Sequence, residues 1–173
     1  MVDTRRLTDI LDLLVRHNVL HDGQKQDVLN RGRDQARHIL LDKRAEMRRM
    51  LGRHRVAYDV TEIELIASFR FRRADATAEL ALCDEELITQ LVAEALGLPF
   101  RVLDPLRLDY KLITDTFGGP FAERHLVLPL EERADTLVLG VADPWDRELL
   151  ESIARFKQKA IEPIVVMKAQ VLE

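Results

Sequence analysis

Residues Leu103–Trp145 read LDPLRLDYKLITDTFGGPFAERHLVLPLEERADTLVLGVADPW, and two alternating apolar runs inside this stretch decide the fold. Leu126, Leu128 and Leu130 share one face of the first run; Leu137, Leu139 and Val141 share one face of the second. A two-residue period is what a half-buried β-strand needs. Between the runs, Glu131-Glu132-Arg133-Ala134-Asp135 is polar and short enough to close an antiparallel hairpin. Asp143-Pro144 stop it. Asp143 is placed to accept the free amides of a following helix, Pro144 suits the first helical position, and Asp146 adds negative charge to the first turn.

Working outward, the next helix is expected from Trp145 to Lys157, with Leu149, Leu150, Ile153 and Phe156 on its apolar side. A strand from Ile161 to Met167 follows, with Pro163 near its start or at a sheet edge. Upstream, Asp109 begins a helix that turns Leu112, Ile113 and Phe117 inward and ends at Gly118-Gly119-Pro120. Before it lies a short extended piece, Val102-Leu103. Asp84 caps an amphipathic helix carrying Leu87, Ile88, Leu91, Val92, Ala95 and Leu96, which Gly97 and Pro99 terminate. The result is an α+β class for residues 80–173: a small, mostly antiparallel sheet, hairpin plus C-terminal strand, packed with helices.

Residues 1–79 read as a separate helical part. Asp3 or Thr4 caps a first helix whose apolar stripe is Leu7, Ile10, Leu11 and Leu14, and Asn18 suits the left-handed cap. A long second helix starts at Asp22 and ends at Gly52. Val28, Gln35, Ile39, Lys43 and Met47 drift along one face of it, a stripe too thin for heavy burial. Thr61-Glu62-Ile63-Glu64 carries the capping-box pattern of a short helix to about Arg70, with Ile63, Ile66 and Ala67 on one side. Arg70–Asp75 is a charged connection.

With 173 residues, 47% of them hydrophobic and 32% charged, the chain suffices for one ordinary domain or a small domain with a helical extension. Net charge is -4, yet Arg31 to Arg55 holds nine Lys/Arg against three Asp/Glu, so the remainder is distinctly acidic. One cysteine, Cys83, excludes an internal disulfide framework and reads as a small buried residue. No secretory signal and no membrane-length apolar run are present, so a cytoplasmic chain is expected, without membrane insertion. The end at Val171-Leu172-Glu173 falls just past the last expected strand and suggests a fragment of a longer protein.

Catalytic chemistry finds no support in this sequence. No Gly-rich turn is followed by Lys and Ser/Thr, the arrangement in which backbone amides cradle phosphates and a hydroxyl holds magnesium. His17 and His21 are four apart, but Asn18 ends the helix between them, so no metal site is expected. His125 reads as a strand-edge residue. Asp104 and Asp109 cap turns, and Ser68 and Ser152 have no partner histidine at readable spacing. The basic run, Arg31 to Arg55, suits a solvated helix face, an acidic protein partner, or phosphate of nucleic acid, anionic lipid or a cyclic dinucleotide. A helix-turn-helix signature and stacking aromatics are missing from it, which weakens the nucleic-acid alternative.

Three blocks in fixed order, LGLPFRVLDPLRLD, PFAERHLVLPL and LVLGVADPWDRELL, resemble the N-terminal domain of the ATPases that drive type II secretion and type IV pilus assembly, related to MshEN domains. The similarity covers roughly Leu80 to Val171. It implies a non-catalytic docking and regulatory domain that tethers a homo-hexameric motor to the cytoplasmic part of an inner-membrane platform protein. ATP and magnesium would then belong to a separate C-terminal domain, with no cofactor held by this chain. Surfaces expected to meet the partner are Leu7, Leu11 and Leu14 of the first stripe, Arg37, Arg44 and Arg48 of the basic helix, and the edges of the hairpin. Some members of the family bind cyclic di-GMP through two motifs that begin Arg-Leu-Gly and continue to a Gly, two apolar residues and a Gln. The first copy would fall on Asp9-Ile10-Leu11, where Arg and Gly are missing; Leu14-Val15, Val19-Leu20 and Gln24 fit, and Asn18 replaces the later Gly. The second would start at Arg72-Arg73-Ala74, with Ala81 in the later Gly position. Close backbone approach to a ligand needs those glycines, so a cyclic di-GMP sensor and a nucleic-acid module stand as alternatives with no site residues carried over.

Overall fold

A computed structural model describes residues 2–51, 58–75 and 81–172. The chain forms two compact units, Met1–Val92 and Ala93–Glu173.

In the first unit, α1 (Thr4–Arg16) starts at Asp3, whose carboxylate accepts from the amides of Arg5 and Arg6 at 2.8 and 3.2 Å. Leu7, Ile10, Leu11, Leu13 and Leu14 are buried, and Asn18 takes the left-handed conformation at φ 57°. Helix α2 (Asp22–Leu51) buries Val28 fully and then only half-buries Ile39, Leu40 and Lys43, as its thin stripe dictates. A Cβ at Gly32 would stand 3.3 Å from Leu65 Cδ2, so the glycine lets α2 approach α3 (Glu62–Ser68). The capping box at α3 is complete: the Glu64 amide donates to Thr61 Oγ1 at 3.2 Å, and the Glu64 carboxylate accepts from the Thr61 amide at 3.5 Å. Tyr58 also hydrogen-bonds Glu64; burial, then that contact, raises its pKa and keeps the phenol protonated. The Met47 side chain, Gly52, Arg53 and Arg55 lie outside the described residues.

Asp84 caps α4 (Glu85–Ala95) by accepting from the Leu87 amide at 2.9 Å. Its buried face is Ile88, Thr89, Val92 and Ala93; Ala95, the last helical residue, and Leu96, just beyond the helix, are exposed, contrary to the expected stripe. Gly97 closes the helix at φ 68°, a conformation that costs other residues a steric clash. Just before α4, Cys83 is 1% exposed. Burial, reinforced by Asp84, pushes its thiol up to about 12. An unfolded chain ionises this thiol nearer the ordinary value, so the thiol favours folding less as pH climbs from about 9 towards 12. At pH 8 alkylation by iodoacetamide should be slow in the native protein and fast in urea; equal rates would mean that Cys83 is accessible.

The second unit is built on a three-stranded sheet in the order β1-β2-β3, with β1 (Val127–Glu132), β2 (Thr136–Val141) and β3 (Ala160–Val165). The hairpin forms where expected, but Glu131 and Glu132 belong to β1, which shortens the turn. Leu126 is not a strand residue: it caps the preceding helix in the left-handed conformation at φ 53°. A bulge at Leu130 lets the paired register run Pro129↔Leu139 and then Glu131↔Val138. Arg133 closes the turn, donating to Glu131 at 2.8 Å and Glu162 at 3.2 Å, while Lys159 Nζ reaches the Arg133 carbonyl at 2.7 Å. The sheet is mixed, because β3 joins β2 in parallel.

Both faces of β2 are buried, not one. Leu137, Leu139 and Val141 pack with Val127, Phe117 and Ile153; Val138 packs on the other side with Leu128, Ile164 and Val166. Leu128 and Leu130 therefore face away from the Leu137–Leu139–Val141 layer. Pro163 pairs with Leu139 on the edge strand.

The helical parts bring three corrections. After the 3-10 turn Pro105–Arg107 and α5 (Tyr110–Thr116), Gly118-Gly119-Pro120 does not simply end a helix. It opens α6 (Gly119–His125), in which Pro120 takes an early position that needs no amide donor. Helix α7 (Arg147–Lys157) is capped by Asp146, which accepts from Leu149 N at 3.0 Å; Asp143 instead accepts from Trp145 N at 3.1 Å in the turn before it. Replacing Asp146 by Ala should cost about 1 kcal/mol, read as a lower urea midpoint; an unchanged midpoint would remove this cap from the account. A short α8 (Lys168–Leu172) follows β3 where no helix was expected.

Candidate functional site

Helices α6 and α7 build a groove in the second unit. Phe117 ends α5; Phe121 and His125 lie four residues apart on α6 and so share a face. Leu149, Ile153 and Phe156 recur at helical spacing on α7. The two rows face a groove of about 700 Å³. Phe117 and Phe121 stack at 5.1 Å, and the His125 ring sits 4.5 Å from Phe121. Phe156, expected inside, is 78% exposed at the groove margin. Lys157 Nζ lies 5.4 Å from the Phe117 ring and 5.6 Å from Phe156. Asp146 and Glu148 line the same groove.

Several polar groups of this lining are engaged within the chain. The Asp146 carboxylate is engaged with the backbone as a helix cap. Ser152 Oγ accepts from Arg155 at 3.5 Å, and His125 packs as a ring in α6, not at a strand edge. What the groove offers is aromatic area with a few charges around it, the composition of a contact surface.

The first unit disperses the residues expected to meet a partner. Leu7, Leu11 and Leu14 are buried, at 6%, 0% and 0% exposure, in a unit where α1 packs on α2 and α3. Arg37, Arg44 and Arg48 are exposed on α2. The two segments on which copies of the cyclic di-GMP motif would fall do come together: Gln24 Nε2 donates to the Arg72 carbonyl at 3.1 Å, and the Ala74 amide donates to the Val19 carbonyl at 2.9 Å. Arg72 is itself exposed and bridges to Leu82. His17 and His21 are exposed, and among the described residues no group of three His, Cys, Asp or Glu gathers as a metal site. No helix among the described residues is long and apolar enough to cross a membrane.

The groove escaped the sequence-based expectations because α6 did. Its signals were present in Gly118 before an early Pro120, and in Phe121 and His125 four apart.

The family model of the MshEN domain matches residues 96–173. Type IV pilus assembly ATPase TfpB of Acinetobacter baylyi (strain ATCC 33305 / BD413 / ADP1) is 29% identical over 66 residues, 38% of this chain. The match spans 11% of that protein's length. A solved structure of MshE with cdg (cyclic di-GMP) covers 94% of this chain and 93% of its own, with a TM-score of 0.57 at 18% identity. The N-terminal domain of XpsE covers 48% of this chain and 58% of its own, at a TM-score of 0.40 and 22% identity. Residues 96–173 of this chain thus match the MshEN domain, and the chain is homologous in part to a type IV pilus assembly ATPase.

Proposed function

We propose that this chain is the non-catalytic docking and regulatory N-terminal domain of a secretion or pilus-assembly ATPase. It would tether a hexameric motor to the cytoplasmic part of an inner-membrane platform protein, at the cytoplasmic side of that membrane. ATP and magnesium would bind in a separate C-terminal domain of the parent. The observation that supports docking is the groove between α6 and α7, where Phe156 stands exposed inside an MshEN domain. An exposed aromatic beside an apolar groove is the kind of anchor that protein interfaces bury. The test is titration of the full chain with the purified cytoplasmic domain of the platform protein. Saturable binding is expected, weakened about thirtyfold by Phe156→Glu, the effect of removing an aromatic anchor. No binding, or binding indifferent to Phe156, would defeat the proposal.

A second reading is regulation by cyclic di-GMP. Two things favour it: MshE has been solved with cdg, and here Gln24, in the first segment set against the motif, donates to the backbone carbonyl of Arg72 in the second. Calorimetric titration decides it. Micromolar or tighter binding that Arg72→Ala weakens would support a sensor; no heat with the dinucleotide would exclude one.

A further inference from the structure

The outer side of α2 carries an ordered row. Arg33, Arg37, Leu41, Arg44 and Arg48 recur at intervals of four, four, three and four residues. At 100° per residue they fall within about 80° of arc, and at 1.5 Å per residue they span about 22 Å of straight helix. All five are exposed, Leu41 at 57%. Asp34 flanks the row, 3.9 Å from Arg37, in a pair exposed on both sides and therefore weak. Asp42 and Glu46 project from other sides of the helix, Glu46 towards Lys43 at 3.0 Å.

We propose that this row is a contact surface for an anionic lipid bilayer. Four guanidinium groups on one line match a plane of phosphodiester headgroups, which each can grip with its planar fork of donors. Leu41, in the middle, enters the acyl boundary while its arginine neighbours remain at phosphate level. A partner helix from another protein would need a seam of about two apolar residues per seven, and the row has one apolar residue in sixteen positions. The row holds no aromatic residue on which a nucleic-acid base could stack. This contact does not depend on the groove of the second unit or on the platform protein.

The experiment is sedimentation of the full chain with vesicles of phosphatidylglycerol and phosphatidylcholine, against vesicles of phosphatidylcholine alone. At low salt the chain should sediment with the anionic vesicles only, and release should follow added salt. Each arginine changed to glutamine should weaken binding about fivefold, and Arg37→Gln, Arg44→Gln and Arg48→Gln together about a hundredfold. Glutamine keeps the helix propensity, so an unchanged circular dichroism spectrum separates lost binding from lost folding. Leu41→Ser should weaken vesicle binding severalfold without changing affinity for a short DNA duplex. No sedimentation with anionic vesicles would overturn the proposal. So would a triple variant that binds like the parent, or vesicle binding indifferent to Leu41 and matched by the duplex.

Discussion

A protein carrying Leu139→Ala should unfold about 2–5 kcal/mol more easily than its parent. Leu139 is 0% exposed at the centre of β2, against Val127, Phe117 and Ile153. Truncation removes the transfer free energy of the lost carbons and leaves a cavity, because paired strands on both sides prevent the backbone from closing in. Domains of this size are stable by only about 5–15 kcal/mol, so the change consumes a large share. Urea denaturation followed by far-ultraviolet dichroism measures it. A midpoint within error of the parent's would show that the layer beneath Leu139 is loosely packed.

Gly140→Val attacks the opposite layer by overfilling it. A Cβ at Gly140 would meet the Leu128 carbonyl oxygen at 3.3 Å, and Leu130 Cδ1 and Val166 Cγ1 at 3.4 Å. The carbonyl belongs to the neighbouring strand, in register with Gly140, and cannot swing aside. Added methyl groups must then displace side chains or bend the ladder, at about 1–3 kcal/mol. Gly140→Ala should cost less. A valine variant as stable as the parent would mean that β1 yields at its bulge.

The contrast between these two positions explains what the sequence revealed and what it hid. The hairpin was legible because Leu137, Leu139 and Val141 alternate with smaller or polar neighbours. That β2 is buried on both faces was not, since Val138 and Gly140 also suit a solvent face with few polar groups. Nor does a one-residue bulge at Leu130 announce itself in a run of leucines. Periodicity placed Phe156 with Leu149 and Ile153 on one side of α7, correctly; only three dimensions show that this side overhangs a groove at its last turn. The Leu7–Leu14 stripe was equally plain, but a stripe does not say which surface covers it, and here the chain covers its own. For the arginines the reverse holds. A count showed the excess of charge, and helical geometry sorted it into a line.

The prolines in the two outer strands have one more consequence. Val165 turns both its amide and its carbonyl outward, to the Pro99 carbonyl at 2.8 Å and the Arg101 amide at 3.0 Å. Pro163, two residues earlier, points the same way, and alternation from the Ala142–Leu126 hydrogen bond gives Pro129 of β1 the same outward aspect. Neither nitrogen has a proton to offer, so a stray strand approaching from left or right finds its hydrogen-bond template interrupted. At high protein concentration, that discourages runaway stacking of sheets into fibrils.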